Sequence, residues 1–158
     1  MAIMDDIDSA IVRELQTDAR QTNRELAARI GIAPSTCLER VRALKARGAI
    51  TGYHAEISLP ALNRHVQALV AVQIRPLSRA VIDDFKTYLY GLPEVLSAFI
   101  LAGGDDVLVH VAVQDVEALH AFLMDRFTKR REVVSFRTSV IFEHTRNRVV
   151  APLGEPRA

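Results

Sequence analysis

The sequence predicts an α+β chain in two parts, a three-helix head followed by a βαββαβ sheet module. Three observations carry this. Apolar residues recur at helical spacing through the first 50 residues. Beyond them the pattern changes to short strand-like runs separated by two helical stretches. Glycine and proline stand at the points of change, as turn and cap residues should.

In the head, Ile7, Ile11 and Leu15 recur every four residues and mark one face of a first helix. Thr22 and Glu25 have the spacing of a capping box, in which each side chain satisfies the other residue's free N–H, and they open a second helix. Leu26, Ala27 and Ile30 give that helix its apolar face. Gly31 ends it, since glycine adopts the left-handed conformation of a helix end at little cost. Pro34 suits the first turn of a third helix, where its missing N–H costs nothing. This helix is expected to run to about Arg47 and stop at Gly48.

The stretch Ile50 to Leu59 reads as extended, and Pro60 breaks it, leaving residues 60–65 as a hinge. Strands are expected at about 66–76, 95–102, 106–113 and 133–143, and helices at 79–91 and 115–130. The resulting order is that of a ferredoxin-like sandwich, an antiparallel sheet with both helices on one face. The boundaries read as a helix-turn-helix head over 1–50, a linker strand and hinge over 51–65, the sheet module over 66–145 and a loosely ordered tail over 146–158.

One face of that sheet lacks helices, yet its residues are not polar. Val107, Val109, Val111 and Val113 point one way; Leu108 and Ala112 point the other, with His110 the one polar exception. A sheet apolar on both faces needs a second cover, and another copy of itself is the simplest one. The alternative is that small residues such as Ala112 tolerate exposure.

Charge distribution separates the parts further. The net charge is +1, but residues 5–18 hold five acids against one base, while residues 20–47 hold seven bases against two acids. A local basic stretch in a neutral protein is the footprint of a compact DNA-reading element; a solvated helix face is the plainer explanation. Cys37 is the only cysteine, so no intramolecular disulfide forms. No apolar run reaches the roughly 18 residues of a membrane span, and the start, with Asp5, Asp6 and Asp8, lacks the basic and apolar regions of a secretory signal. The expected compartment is the cytoplasm.

Projected at about 100° per residue, the third helix places Leu38, Val41 and Leu44 on a core side with Cys37 beside them. The opposite side carries Ser35, Thr36, Glu39, Ala43 and Ala46, flanked by Arg40, Arg42 and Arg47. Hydroxyls, small alanines and arginines suit close approach to a DNA groove. A plain amphipathic helix in a three-helix bundle has the same periodicity.

These residues carry a family resemblance. The text from Asp8 to Tyr53, and PSTCLERVRALKARGAI within it, resembles the DNA-binding half of the leucine-responsive/asparagine regulator (Lrp/AsnC) family. The following βαββαβ pattern resembles the family's RAM (ACT-like) sensing domain, so that the likeness spans roughly residues 5–145. The resemblance implies a winged helix-turn-helix regulator that binds double-stranded DNA in the nucleoid. It also implies dimers that join into tetramers or octamers. The candidate DNA-contacting set is Thr22, Asn23, Pro34, Ser35, Thr36, Glu39, Arg40, Arg42 and Arg47. Where relatives usually have a serine cap, this chain has Ala33, which cannot cap the helix.

The resemblance further implies an amino acid or related small molecule bound at a Gly-x-x-Asp loop. That loop is Ala102-Gly103-Gly104-Asp105-Asp106 here. Glycine exposes N–H groups to a carboxylate, and Asp106 suits an ammonium. Thr138 and Ser139 would add hydrogen bonds from a neighbouring subunit. A simple hairpin turn uses the same residues. Ala102 stands where relatives have threonine, and Val107 where they have an aromatic residue.

Enzyme chemistry is not expected. No Gly-x-Ser-x-Gly, P-loop or zinc-protease motif occurs, and no cofactor or metal is implied. The five histidines are scattered, although His110 and His120 could meet in space. Asp83-Asp84 and Asp105-Asp106 are neighbours whose side chains point apart. The rival reading is a ferredoxin-like oligomeric sensor whose helical head binds a protein partner, which would not require the basic stretch.

Overall fold

The computed structural model describes residues 4–153 in two compact units. One consists of the chain up to Ala55 together with the segment from Thr145, and the other of Glu56–His144.

The first unit holds α1 (Asp6–Thr17), α2 (Asn23–Ile30) and α3 (Pro34–Ala46). Asp5 caps α1 by accepting from the Asp8 N–H at 2.7 Å. The capping box of α2 is complete, with Glu25 N–H donating to Thr22 Oγ1 at 3.2 Å and Thr22 N–H to Glu25 Oε2 at 2.7 Å. Gly31 ends α2 with φ +73°, a conformation that side chains with a Cβ resist. Ile11, Leu26, Ala27, Cys37 and Leu44 form the buried core of the head. Cys37, Val41 and Leu44 line up on one face of α3, whereas Leu38, expected beside them, is 39% exposed because it lies about 100° around the helix from Cys37.

Two expectations for this part are corrected. Residues 51–58 contain no strand, and no β-wing accompanies the three helices among the described residues. The tail also has a fixed point. Gln16 on α1 donates from Nε2 to the Val150 carbonyl at 3.0 Å and accepts from the Val150 N–H at 2.9 Å, as a neighbouring strand would. Residues beyond 153, including Gly154 and Pro156, lie outside the described residues.

The second unit begins with a 3-10 turn at Pro60–Leu62 that ends on Asn63, with φ 57°. Then follow β1 (Val66–Ile74), α4 (Arg79–Tyr90), β2 (Val95–Ile100), β3 (Val107–Val113), α5 (Val116–Arg126) and β4 (Val133–Ile141). The strands form one antiparallel sheet in the order β2-β3-β1-β4. This is the βαββαβ arrangement expected from the alternation.

Both helices cover the same face. Phe85 and Leu89 of α4 and Leu119 and Phe122 of α5 share a core with Val70, Val72, Val107, Val109 and Val111. Phe127 is fully buried and meets Phe85, Phe122 and Phe136 at centroid distances of 6.3, 5.5 and 5.7 Å, an aromatic cluster under the sheet. The register sends Leu69, Ala71, Leu108, His110 and Phe99 to the other face, where Leu108 lies opposite Ala71 and Phe99. His110 and His120 do not meet, because α5 lies on the helical face; His110 instead bonds Gln67 and packs edge-on against His144 at 5.9 Å. Burial, reinforced by His144, lowers the His110 pKa.

Candidate nucleic-acid interface and sensing loop

The candidate groove face of α3 is divided by its own hydrogen bonds. Arg40 and Arg47 are seven residues apart, on one side of the helix, and both turn toward α1. Arg40 Nη1 donates to Asp5 Oδ2 at 2.6 Å and Asp8 Oδ1 at 2.9 Å, and Arg47 Nη2 donates to Asp8 Oδ2. Asp8 is buried, so this network fastens α3 to α1. The acidic and basic stretches of the sequence thus partly neutralise one another. Arg40 and Arg47, expected to clamp phosphates, thus have internal partners on α1.

Thr22 and Asn23 are likewise engaged. Thr22 is spent in the capping box, and Asn23 Nδ2 donates to the Pro34 carbonyl at 2.7 Å, joining the starts of α2 and α3. What remains on the surface is Pro34, Ser35, Thr36, Glu39 and Arg42. Ala33 supplies no side-chain cap, and the first helical bond is Cys37 N–H to the Ala33 carbonyl. The Ser35 and Thr36 N–H groups therefore face outward at the positive end of the helix, where an anion is favoured. Arg42 is exposed and has no ion-pair or hydrogen-bond partner among the described residues. Arg24, in the first turn of α2 and so outside the third helix, is also exposed and unpaired among the described residues.

Two exposed carboxylates are held in their charged form by nearby donors. The Asp8 N–H, with Arg40 beside it, keeps the Asp5 carboxyl below its ordinary value of 3.8, and the Thr22 N–H does the same to Glu25, ordinarily at 4.5. A carboxylate with a depressed folded-state pKa stabilises fully above its unfolded value and loses that contribution as pH falls through the folded one. Thermal unfolding followed by circular dichroism should therefore show a head that is insensitive to pH between 7 and 5 and weakens below about 4. Asp5→Asn and Glu25→Gln should each flatten that decline; an unchanged profile in both would remove these groups from the acid response.

At the loop between β2 and β3, Asp106 is buried. Its Oδ2 accepts from the Ile74 N–H at 2.8 Å and from Arg75 Nη1 at 3.1 Å. Ile74 sits where the β1–β4 register shifts, and its N–H turns to this carboxylate. Asp106, expected to face an ammonium group, thus also secures the end of β1. Asp105 pairs with Arg137 Nη2 at 2.6 Å, and the Gly104 carbonyl accepts from Gln73 Nε2 at 2.8 Å. Thr138 lies opposite Val70 and Ser139 opposite Leu69, so the two point to opposite faces, and Ser139 alone shares the open face with Leu108.

Gly103 and Gly104 are exposed. Neither has a positive φ, and a Cβ on either would meet nothing within 4 Å. A tight hairpin turn would use glycine for positive φ. The chain itself does not require glycine at either position.

A helix-turn-helix joined to a ferredoxin-like module defines a class, the DNA-binding regulators with an appended sensing domain. Comparison with known proteins narrows this. Residues 4–45 match the AsnC-type helix-turn-helix domain, and residues 67–150 match the Lrp/AsnC ligand binding domain. The HTH-type transcriptional regulator AldR of Mycolicibacterium smegmatis is 40% identical over 143 residues, 90% of this chain and 84% of that protein. The leucine-responsive regulatory protein of Escherichia coli K12 is 33% identical over 149 residues, 93% of this chain and 91% of that one. A Neisseria meningitidis transcriptional regulator solved with L-Met superposes with a TM-score of 0.86 at 30% identity, covering 96% of this chain and 97% of that one. This chain belongs to the Lrp/AsnC family of transcriptional regulators. The family consists of regulators and not of enzymes, in agreement with the sequence. Among the described residues no helix is long and apolar enough to cross a membrane, and no group of three or more His, Cys, Asp or Glu could hold a metal ion.

Proposed function

We propose that this regulator reads double-stranded DNA in the cytoplasm, on the nucleoid, with the exposed face of α3, and that Ser35, Thr36, Glu39 and Arg42 make the contacts. The carrying observation is the exposed, unpaired Arg42, which shares a face of α3 with Ser35 and Glu39 and lies about two turns from the uncapped helix start. Arg40, Arg47, Thr22 and Asn23 support that face from behind. Residues 1–50 form the DNA-reading domain, 51–65 the linker, 66–145 the sensing and assembly domain and 146–158 the tail. Arg42→Ala should weaken binding about tenfold without lowering thermal stability, and should reduce the salt slope of the binding constant by about 1 if a phosphate contact is lost. Arg40→Ala should instead lower stability. Genomic fragments captured by the wild-type protein supply the operator for these titrations. Wild-type affinity in Arg42→Ala at matched salt would overturn the assignment, and salt-independent capture would favour a protein partner for the head.

The sensing domain, in this reading, takes an amino acid or a related small molecule at Ala102–Asp106. Two related regulators were solved with L-methionine, and Gly103 and Gly104 are free for such an approach. The exposed N–H groups would hold the carboxylate, and Asp105 with Ser139 would contribute polar contacts. Asp106 would position the loop. The open sheet face closes against a second copy, and dimers join further into tetramers or octamers. Gly104→Ala should leave the unliganded melting temperature unchanged or slightly raised. It should abolish the stabilisation given by an amino acid that binds the loop. Such a ligand at 100 times its Kd adds about 2.7 kcal/mol, which a thermal-shift panel resolves readily.

A further inference from the structure

At the end of the sheet away from the 102–106 loop, where Val66 pairs with Val113, lies a cavity of about 330 Å³. This is at the small end of the roughly 300–1,000 Å³ range of ligand pockets. Its walls mix apolar residues such as Leu62 and Ala118 with Asn63, Arg64 and Glu94. The two charged residues are the unusual feature. Arg64 donates from Nη1 to the Ala112 carbonyl at 3.0 Å and from Nη2 to the Pro93 carbonyl at 2.6 Å, so its guanidinium is anchored by neutral acceptors and its charge meets no carboxylate. Glu94 Oε2 is buried and has no hydrogen-bond partner. A guanidinium has five N–H donors, so Arg64 retains donors beyond the two engaged. Arg64 and Glu94 thus both line the cavity without pairing with each other, and one carboxylate oxygen of Glu94, buried behind the wall, lacks a partner.

Leaving a buried carboxylate oxygen unsatisfied is costly, and such groups in native proteins call for a partner. A molecule carrying both an ammonium and a carboxylate would complement the two walls at once, its ammonium meeting Glu94 and its carboxylate the remaining donors of Arg64. We propose that this cavity is a second small-molecule site, separate from the loop, that takes a free α-amino acid or a zwitterion of that size. The separation is the length of β3, six residue steps of about 3.3 Å or roughly 20 Å. An occupant would also touch Leu62 and Arg64, in the linker segment by which the chain enters the sheet.

The test uses the full chain and the standard L-amino acids, each as a separate probe at about 10 mM, read by thermal shift and confirmed by calorimetric titration. Four proteins are compared: wild type, Gly104→Ala, Glu94→Gln and Ala118→Leu. At least one amino acid should stabilise wild type and Gly104→Ala alike. It should bind Glu94→Gln and Ala118→Leu at least tenfold more weakly. Without ligand, Glu94→Gln should melt no lower than wild type, because it removes an unpaired charge; a lower melting point would show that Glu94 serves the fold, and would overturn the proposal. Binding lost in Gly104→Ala but kept in Glu94→Gln and Ala118→Leu would overturn it too, while leaving the loop assignment intact. A panel that stabilises neither wild type nor Gly104→Ala overturns it as well. If Ala118→Leu does not fold, Glu94→Gln decides alone.

Discussion

Leu108→Asp should break the proposed face-to-face dimer into monomers at micromolar concentration, with its dissociation constant raised about a thousandfold or more. Leu108 is half-buried within one chain, on the sheet face that carries no helix, between Ala71 of β1 and Phe99 of β2. Phe99 is 52% exposed there, although the face around it includes Leu69 and Ala71. In a single chain an aspartate at this position can still reach water, so the fold should survive. Between two such faces it would be a buried charge without a partner, and leaving one uncompensated typically costs about 3–5 kcal/mol. At about 1.4 kcal/mol per factor of ten, this is two to more than three decades in affinity, doubled in effect because a symmetric interface contains the substitution twice. Sedimentation velocity of the variant beside wild type reads the outcome directly. A wild-type monomer at micromolar concentration, or a Leu108→Asp dimer of unchanged affinity, would remove this face from the assembly.

What the sequence makes legible here is what short range determines. The Thr22–Glu25 box, Gly31 as a left-handed cap and Pro34 at a first turn are decided within four residues of chain, and the structure contains all three. The alternation of β3 likewise shows which valines enter the core, because strand periodicity is fixed by the backbone. The failures are non-local. Residues 51–58 have the composition of a strand, yet no strand forms there. Leu38 falls at the edge of its helical stripe, where a difference of 100° separates core from surface. For Arg40 and Arg47 a signal was present: their seven-residue spacing puts them on one flank of the core stripe, and the acidic block around Asp5 and Asp8 supplies the counter-charge. The Glu94–Arg64 cavity depends on three chain segments that only the sheet register brings together, so no motif announces it.

Asp106 shows how such non-local bonding alters an experiment. Read as a ligand-binding carboxylate, it invites Asp106→Ala as the variant that loses the effector and nothing else. The structure predicts a different result. Alanine removes the acceptor of the buried Ile74 N–H and the partner of Arg75. An orphaned buried donor costs about 1–3 kcal/mol. The ion pair adds less, because the Arg75 side chain is 58% exposed and solvent screens it. A loss of about 2 kcal/mol in a module of this size lowers the melting temperature by roughly 8–16 °C. That drop should occur with no ligand present, and should be visible in a thermal melt of the full chain. Asp106→Asn retains a carbonyl oxygen to accept from Ile74 and should recover most of the loss. Asp105→Ala, which gives up one pairing to an Arg137 that is 77% exposed, should change the melting temperature by no more than a degree or two. The order Asp106→Ala well below Asp106→Asn, with Asp105→Ala near wild type, is the signature of a carboxylate that secures the end of β1. An Asp106→Ala protein that melts like wild type would return Asp106 to direct contact with the effector.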